Sequence, residues 1–317
     1  TRGALAVGVP GTVAGTFEAH KRFGKLPIKT IMQPIIALAK KGVVVTKKQE
    51  LRIAEKHEDF KKANKDSILF SRAWKAGDTI KYKKLAETLA RIMNNGPEEF
   101  YTGESARLLT RFMNDNGGVM TQDDLLKYKP KWRTPITFQY DDLKIISMAP
   151  PSSGGICLAQ IMRMIEPYDL DKLGHNSVQA IQLLTEAERR SYADRSHFLG
   201  DPDFVSIPGD HLISDAYLED RMSNFTFEKA TNSKDISFGK VAIIESDETT
   251  HFSIVDSFGN AVSVTTTLNS GFGSKLFCNE LGFFLNNEMD DFSSKPGVPN
   301  LYGLIGSKAN SILPEKR

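Results

Sequence analysis

Cysteine is nearly absent: Cys157 and Cys278 are the only two in 317 residues. Two thiols cannot build a disulfide framework, and their separation does not suit metal ligation, so each is expected to be a buried free thiol. Charge of one sign is also missing. Lys and Arg number 41 against 39 Asp and Glu, a net charge of +2. That balance argues against a dedicated nucleic-acid binder, which carries a basic excess. No apolar run reaches the ~18 residues of a membrane span; the stretch 31–39 is broken by Gln33 and Pro34.

Several catalytic signatures are missing too. There is no Gly-x-Ser-x-Gly elbow, Walker loop, His-Glu-x-x-His or Cys-x-x-Cys. The six histidines (His20, His57, His175, His197, His211 and His251) are scattered without ligand spacing. No metal and no cofactor are expected. His251 reads as a satisfied structural histidine.

What is present is an ordinary globular composition: 40% hydrophobic, 25% charged and 9% aromatic. Wholesale disorder is excluded. The length suggests two domains or one large one, at ~150 residues per domain. The chain opens on Thr1 rather than Met and closes on Leu313-Pro-Glu-Lys-Arg317, which reads as mid-loop. The expectation is an excerpt from a longer protein, whose leader, if any, would be invisible here.

Helical periodicity dominates the first two thirds. Residues 28–45 place apolar side chains at helical spacing, with a stop at Lys40-Lys41-Gly42. Residues 81–95 end at Asn95-Gly96-Pro97, and 106–116 end at Gly117-Gly118, both helix C-terminus signals. Thr121-Gln-Asp-Asp124 reads as a capping box with Asp in the place of Glu. Residues 177–195 form a long amphipathic segment. Residues 224–239 are polar and irregular, a connector that leads to apolar 241–244 and acidic Glu245-Ser-Asp-Glu248.

Strand signals come in two places. Residues 135–147 hold two β-rich runs around Tyr140-Asp141-Asp142, and 249–268 form a hairpin rich in β-branched residues. With the turn centred on Phe258-Gly259, Thr250 faces Thr267 and Thr249 faces Leu268; a loop of other parity shifts this pairing.

Three further segments carry polar chemistry. Gly8-Val-Pro-Gly11-Thr-Val-Ala-Gly15 lacks dinucleotide spacing and reads as a tight turn with close helix packing. Pro150-Pro-Ser-Ser-Gly-Gly155 precedes an apolar segment, so its serines are expected to cap a helix, with anion contact the lesser alternative. Asn286-Asn-Glu-Met-Asp-Asp291 directly follows apolar 281–285. It reads as a solvated or calcium-like loop, or as carboxylates that hold a ligand's ammonium.

Together these segments resemble one family. Residues 9–15 and 150–155, Tyr192-Ala-Asp-Arg195, Leu199-Gly-Asp-Pro-Asp-Phe204, Thr249-Thr-His-Phe-Ser-Ile-Val-Asp256, Thr266-Thr-Leu-Asn269 and Asn286-Asn-Glu-Met-Asp-Asp-Phe292 resemble γ-glutamyltranspeptidase, in order and across the chain. The resemblance implies an α+β fold, the four-layer αββα sandwich of N-terminal-nucleophile hydrolases, incomplete here. It implies a precursor that cuts itself between Glu248 and Thr249. Residues 1–248 would be a largely helical portion of the large subunit, and 249–317 the start of the small subunit, together forming one αββα domain.

The implied chemistry is coherent. A threonine hydroxyl needs a base within reach. A liberated α-amine, with a reference pKa of ~7.7–8, supplies one, whereas the same nitrogen in an amide does not. By resemblance Thr249 is the nucleophile and Thr267 orients it, while Asn269, Glu288 and Asp291 bind the α-amino and α-carboxylate end of a γ-glutamyl group. The implied substrate is glutathione or another γ-glutamyl compound, with water, an amino acid or a peptide as acceptor. The family's carboxylate-binding arginine would lie upstream of residue 1, Arg2 not matching it, and its serine and glycine pairs beyond Arg317. A periplasmic or extracellular location is implied by the family alone. The alternatives are an acylase of the same fold that takes glutaryl or other amides, and an unprocessed, inactive homologue.

Overall fold

Glycines stop the helices where the sequence places them. In the computed structural model, which describes residues 2–236, 250–293, 298 and 308–316, the helices and strands run in chain order as follows. First come α1 (Thr12–Phe23), α2 (Ile28–Lys41), β1 (Val43–Val44), α3 (Lys47–Ala63), β2 (Thr79–Ile80), α4 (Lys83–Asn95), α5 (Glu98–Tyr101), α6 (Glu104–Asp115) and α7 (Gln122–Lys127). Then come β3 (Ile136–Tyr140), β4 (Leu143–Ser147), α8 (Gly154–Ile165), α9 (Leu170–Leu173), α10 (Val178–Phe198), α11 (Gly209–Leu212) and α12 (Asp215–Met222). Last are β5 (Thr250–Val255), β6 (Ala261–Thr266), β7 (Phe277–Cys278) and β8 (Phe283–Phe284). Gly42 and Gly96 follow α2 and α4 at φ 98° and 78°, as C-terminal glycines do. The described strands pair two by two, all antiparallel. The mixture is α+β, and no described helix is long and apolar enough to cross a membrane.

Two compact units emerge: Thr1–Lys131 with Ser246–Met289, and Trp132–Glu245 with Asp290–Arg317. This partition is one of packing and is distinct from the cut expected between Glu248 and Thr249.

The first unit is organised around the β7–β8 ribbon. Alternate residues of a strand face opposite sides, and here each side has its own core. Leu276, Cys278, Leu281 and Leu285 join Leu109, Met113 and Leu125. Phe277 and Phe284 join Phe60, Phe70 and Trp74. The aromatic side is tightly knit: Phe60 meets Phe272 edge-on at 5.0 Å, and Phe70 meets Phe284 at 5.0 Å. Both cysteines are buried free thiols, as expected; burial pushes the Cys278 thiol up to about 11.

In the same unit, the turn before α1 is tied down by two tyrosines. Tyr101 donates its hydroxyl to the Pro10 carbonyl (2.8 Å), accepts from Ala14 N (3.1 Å), and stacks on Tyr128 at 5.8 Å. A Cβ at Gly11 would lie 2.1 Å from the Tyr128 hydroxyl. The glycine-rich segment is therefore a close-packing device, as its spacing suggested.

In the second unit α8 packs on α10 and on the β3–β4 hairpin. Its buried charges form a network. Arg190, 1% exposed, ion-pairs with Glu186 and donates to Asn224 Oδ1 (2.6 Å) and to the Arg221 carbonyl (2.6 Å). Asp194 accepts from Gln160 (2.9 Å) and pairs with Arg221 (3.2 Å); burial raises its carboxyl above the usual range. Ser153 precedes α8 without capping it: its hydroxyl accepts from Arg195 Nε (2.9 Å), while Ser152 Oγ accepts from Gly154 N (3.3 Å). The expected cap is thus only partly made, because Arg195 claims the second serine.

Phe60 is 1% exposed and touches rings on several sides. Phe60→Ala is expected to cost ~3–5 kcal/mol of stability through lost burial and a residual cavity, measured by denaturant unfolding.

Candidate active site

The β5–β6 hairpin is set by its turn. Asp256 Oδ1 accepts from Phe258 N (2.9 Å) and Asn260 N (2.9 Å), and Oδ2 accepts from Asn260 Nδ2 (2.8 Å). Asp256 N donates to the Asn260 carbonyl (3.0 Å), and Gly259 adopts φ 80°. This is a three-residue loop with a left-handed glycine, anchored by an aspartate that grips its own turn. The hydrogen bonds, those from Asn260 first, hold the Asp256 carboxyl below the usual range.

A three-residue loop changes the parity. Thr250 pairs with Thr266 and Val255 with Ala261, so the expected facing of Thr250 by Thr267 is corrected by one position. The centre of the turn is Phe258 rather than the Phe258–Gly259 bond. Glu248 and Thr249, the expected cleavage bond and nucleophile, lie outside the described residues. His251 is exposed and bonded to Thr265 Oγ1 (2.7 Å), a structural role as expected.

Beyond β6 the chain is knotted to the segment that leaves β8. Thr267 is exposed, and its Oγ1 accepts from Asn269 N (2.9 Å). Asn269, 7% exposed and at φ 75°, donates its side-chain amide to the Asn287 carbonyl (3.0 Å). Asn287 N donates to the Leu268 carbonyl (3.1 Å), and its Oδ1 accepts from Ser270 N (2.9 Å). Asn287 is wholly buried.

Its neighbour Asn286 faces the other way. It exchanges two hydrogen bonds with the backbone of Gly8, N to Oδ1 and Nδ2 to O, each 2.9 Å. The same Oδ1 accepts from Glu288 N (3.1 Å). Glu288, half-buried, then starts a 3-10 turn that runs to Asp291.

The structure therefore ties Leu268, Asn269 and Ser270 to Asn287, with Thr267 bonded only to Asn269 N and Glu288 following Asn287 in the chain. Asp291 is exposed, and the boundary between the two units falls inside its turn, after Met289. Arg2, unmatched to the family's arginine, pairs with Asp59 (2.9 Å). Sequence reasoning gave no individual role to Ser270, Asn286 or Asn287 and did not link Gly8 to this segment. The adjacent amides after an apolar run were the available signal, because buried amides must find partners. In the same unit a cavity of about 520 Å³ is walled by Val13, Phe70, Phe272 and Phe284, and it reaches Leu268 and Asn286.

The chain is α+β, with a threonine-rich hairpin whose exit is tied to a segment rich in amides and carboxylates. The chain belongs to the γ-glutamyltranspeptidase family, whose profile matches residues 1–317. It is 44% identical over 322 residues to the glutathione hydrolase proenzyme of Escherichia coli K12, covering 99% of this chain and 55% of that one. It is 36% identical over 322 residues to the acylase ACY 1 proenzyme of Pseudomonas sp. strain V22, covering 99% and 54%. The crystal structure of Helicobacter pylori γ-glutamyltranspeptidase superposes with a TM-score of 0.71 at 38% identity, over 78% of this chain and 72% of that one. The chain thus spans about half the length of the curated relatives it matches.

Removing the Asn287 side chain leaves the half-buried Ser270 N–H without its acceptor. Asn287→Ala is expected to cost ~1–3 kcal/mol in a urea titration.

Proposed function

We propose that the protein is a self-processing γ-glutamyl transferase and hydrolase with Thr249 as nucleophile. The observation that carries this reading is the tie of Asn269 and Ser270 to Asn287, which joins the segment after Thr267 to the segment that leads into Glu288 at the exit of the hairpin. The relatives named glutathione hydrolase proenzyme point the same way.

In maturation, Thr249 Oγ attacks the Glu248 carbonyl carbon, the peptide C–N bond breaks, and the resulting ester is opened by water. The products are the Glu248 carboxylate and the α-amine of Thr249. In turnover that amine accepts the Oγ proton as Oγ attacks the γ-carbonyl of the substrate. The leaving amine takes a proton, and a γ-glutamyl ester stays on Thr249. Water, an amino acid or a peptide then takes the acyl group. Thr267 orients Oγ. Asn269, Glu288 and Asp291 hold the α-end of the substrate, the two carboxylates suiting its ammonium. A periplasmic or extracellular location belongs to the same proposal and is checked by cell fractionation.

One observation favours a second reading: the relative named acylase ACY 1 proenzyme. An acylase of the same fold would take glutaryl amides, which lack the α-ammonium. An unprocessed, inactive homologue would do neither.

Two outcomes are expected of the full gene product. A denaturing gel shows two bands with a new N-terminus at Thr249, and Thr249→Ala gives one uncut band without turnover; normal splitting in that variant would reassign the nucleophile. In parallel assays γ-glutamyl-p-nitroanilide is cleaved faster than glutaryl-p-nitroanilide. The reverse order would establish the acylase.

A further inference from the structure

Lys275 is a buried cation with an unusual set of partners. The residue is 7% exposed. Its ammonium donates to Ser270 Oγ (3.0 Å), to the Gly271 carbonyl (2.5 Å) and to the Gly273 carbonyl (2.8 Å). An ammonium has three hydrogens, and these three oxygens can take all of them. All three come from the stretch that directly follows Asn269.

That stretch needs a hub. Asn269, Phe272 and Lys275 have φ of 75°, 62° and 68°, a left-handed backbone that costs non-glycine residues ~1–2 kcal/mol each. Two carbonyl oxygens and the Ser270 hydroxyl, which itself donates to the Gly273 carbonyl (3.1 Å), converge on one point inside the loop, where the remaining acceptor capacity calls for a donor. The Lys275 ammonium is that donor. Its backbone is fixed in turn: the Lys275 carbonyl accepts from Asn64 Nδ2 (2.8 Å), and Asn64 Oδ1 accepts from Phe277 N (2.9 Å). The loop is thus curled about a charge anchored at the end of α3.

The curl has one consequence at the site. Ser270, held by the ammonium, is also the residue whose N–H reaches Asn287 Oδ1, and Asn269 beside it reaches the Asn287 carbonyl. We propose that Lys275 is a positioning residue for substrate recognition. It fixes Asn269 and, through Ser270, the Asn287–Glu288 segment that holds the α-amino and α-carboxylate end of the substrate. The inference rests on the γ-glutamyl reading for its substrate. It assigns Lys275 to binding rather than to the chemical step.

Lys275→Met keeps length and bulk but removes the donors. In the full gene product we expect KM for γ-glutamyl-p-nitroanilide to rise about tenfold, the loss expected when charge-assisted hydrogen bonds go. We expect kcat to stay within about threefold, since an interaction shared by ground and transition state leaves kcat largely intact. Amide hydrogen exchange should accelerate in 269–275 and at Asn287, with the rest of the chain unchanged. If KM and local exchange both match the parent, or if kcat falls with KM unchanged, the assignment is overturned. A parent without γ-glutamyl turnover defeats the functional reading instead, and the exchange pattern still decides whether Lys275 orders the loop. Should Lys275→Met fail to fold, Ser270→Ala deletes one of the three acceptors. It should raise KM about threefold, and an unchanged KM would overturn the inference.

Discussion

The first unit depends on one buried amide. Asn287 uses its backbone N–H, its backbone carbonyl and its side-chain oxygen to hold Leu268, Asn269 and Ser270. A fully buried polar group must be partnered, so the two chain segments can approach only in the arrangement that satisfies all three. The ribbon β7–β8, locked by apolar side chains on both faces, delivers Asn287 to that point. Packing supplies the place, and hydrogen bonding supplies the alignment.

The segments that suggested the family divide into two kinds once placed. In the second unit they hold one another. Arg195 binds Ser153, Asp194 joins the Gln160 and Arg221 network, and Asp203 takes a two-pronged bond from Arg133 at 2.7 and 2.9 Å. Asp194 is the buried carboxylate of this set, and loss of Arg221 would strand it, which is how architecture alone constrains a polar residue. In the first unit, residues 266–269 and 286–288 converge on the site, while 9–15 pack against tyrosines.

Helix ends were legible because caps are local chemistry. The Thr121 box forms both of its bonds, and Gly42 and Gly96 end their helices. Helix α3 carried the same local signal in Thr46-Lys-Lys-Gln49, whose capping box forms both of its bonds, but its periodicity was weak. It buries only Ile53 and Phe60 along 17 mostly charged residues, too sparse a stripe for periodicity to find. The hairpin was legible as a hairpin, but its register was not, because parity depends on whether Asp256 closes three residues or two. At the site, Thr267, Asn269 and Glu288 were recognised by resemblance, and of these Asn269 bonds the segment that leads into Glu288. Asn287 and Lys275 were not assigned, since nothing in the letters shows which amide is buried or which lysine turns inward. Left-handed backbone at Phe272 and Lys275 is equally silent, as neither residue type favours it.

The turn at Asp256 carries a consequence for how the gene can vary. Side chains on a strand alternate with a period of two, so adding or deleting one codon between Asp256 and Asn260 would invert every later position of β6 relative to β5. Both strands are largely exposed, so packing offers little to resist such a slip. The pairing therefore rests on the turn itself, on the bonds that Asp256 makes to Phe258 and Asn260 and on left-handed Gly259, so exchange of Asp256 or Gly259 would loosen it more than exchange along the strands.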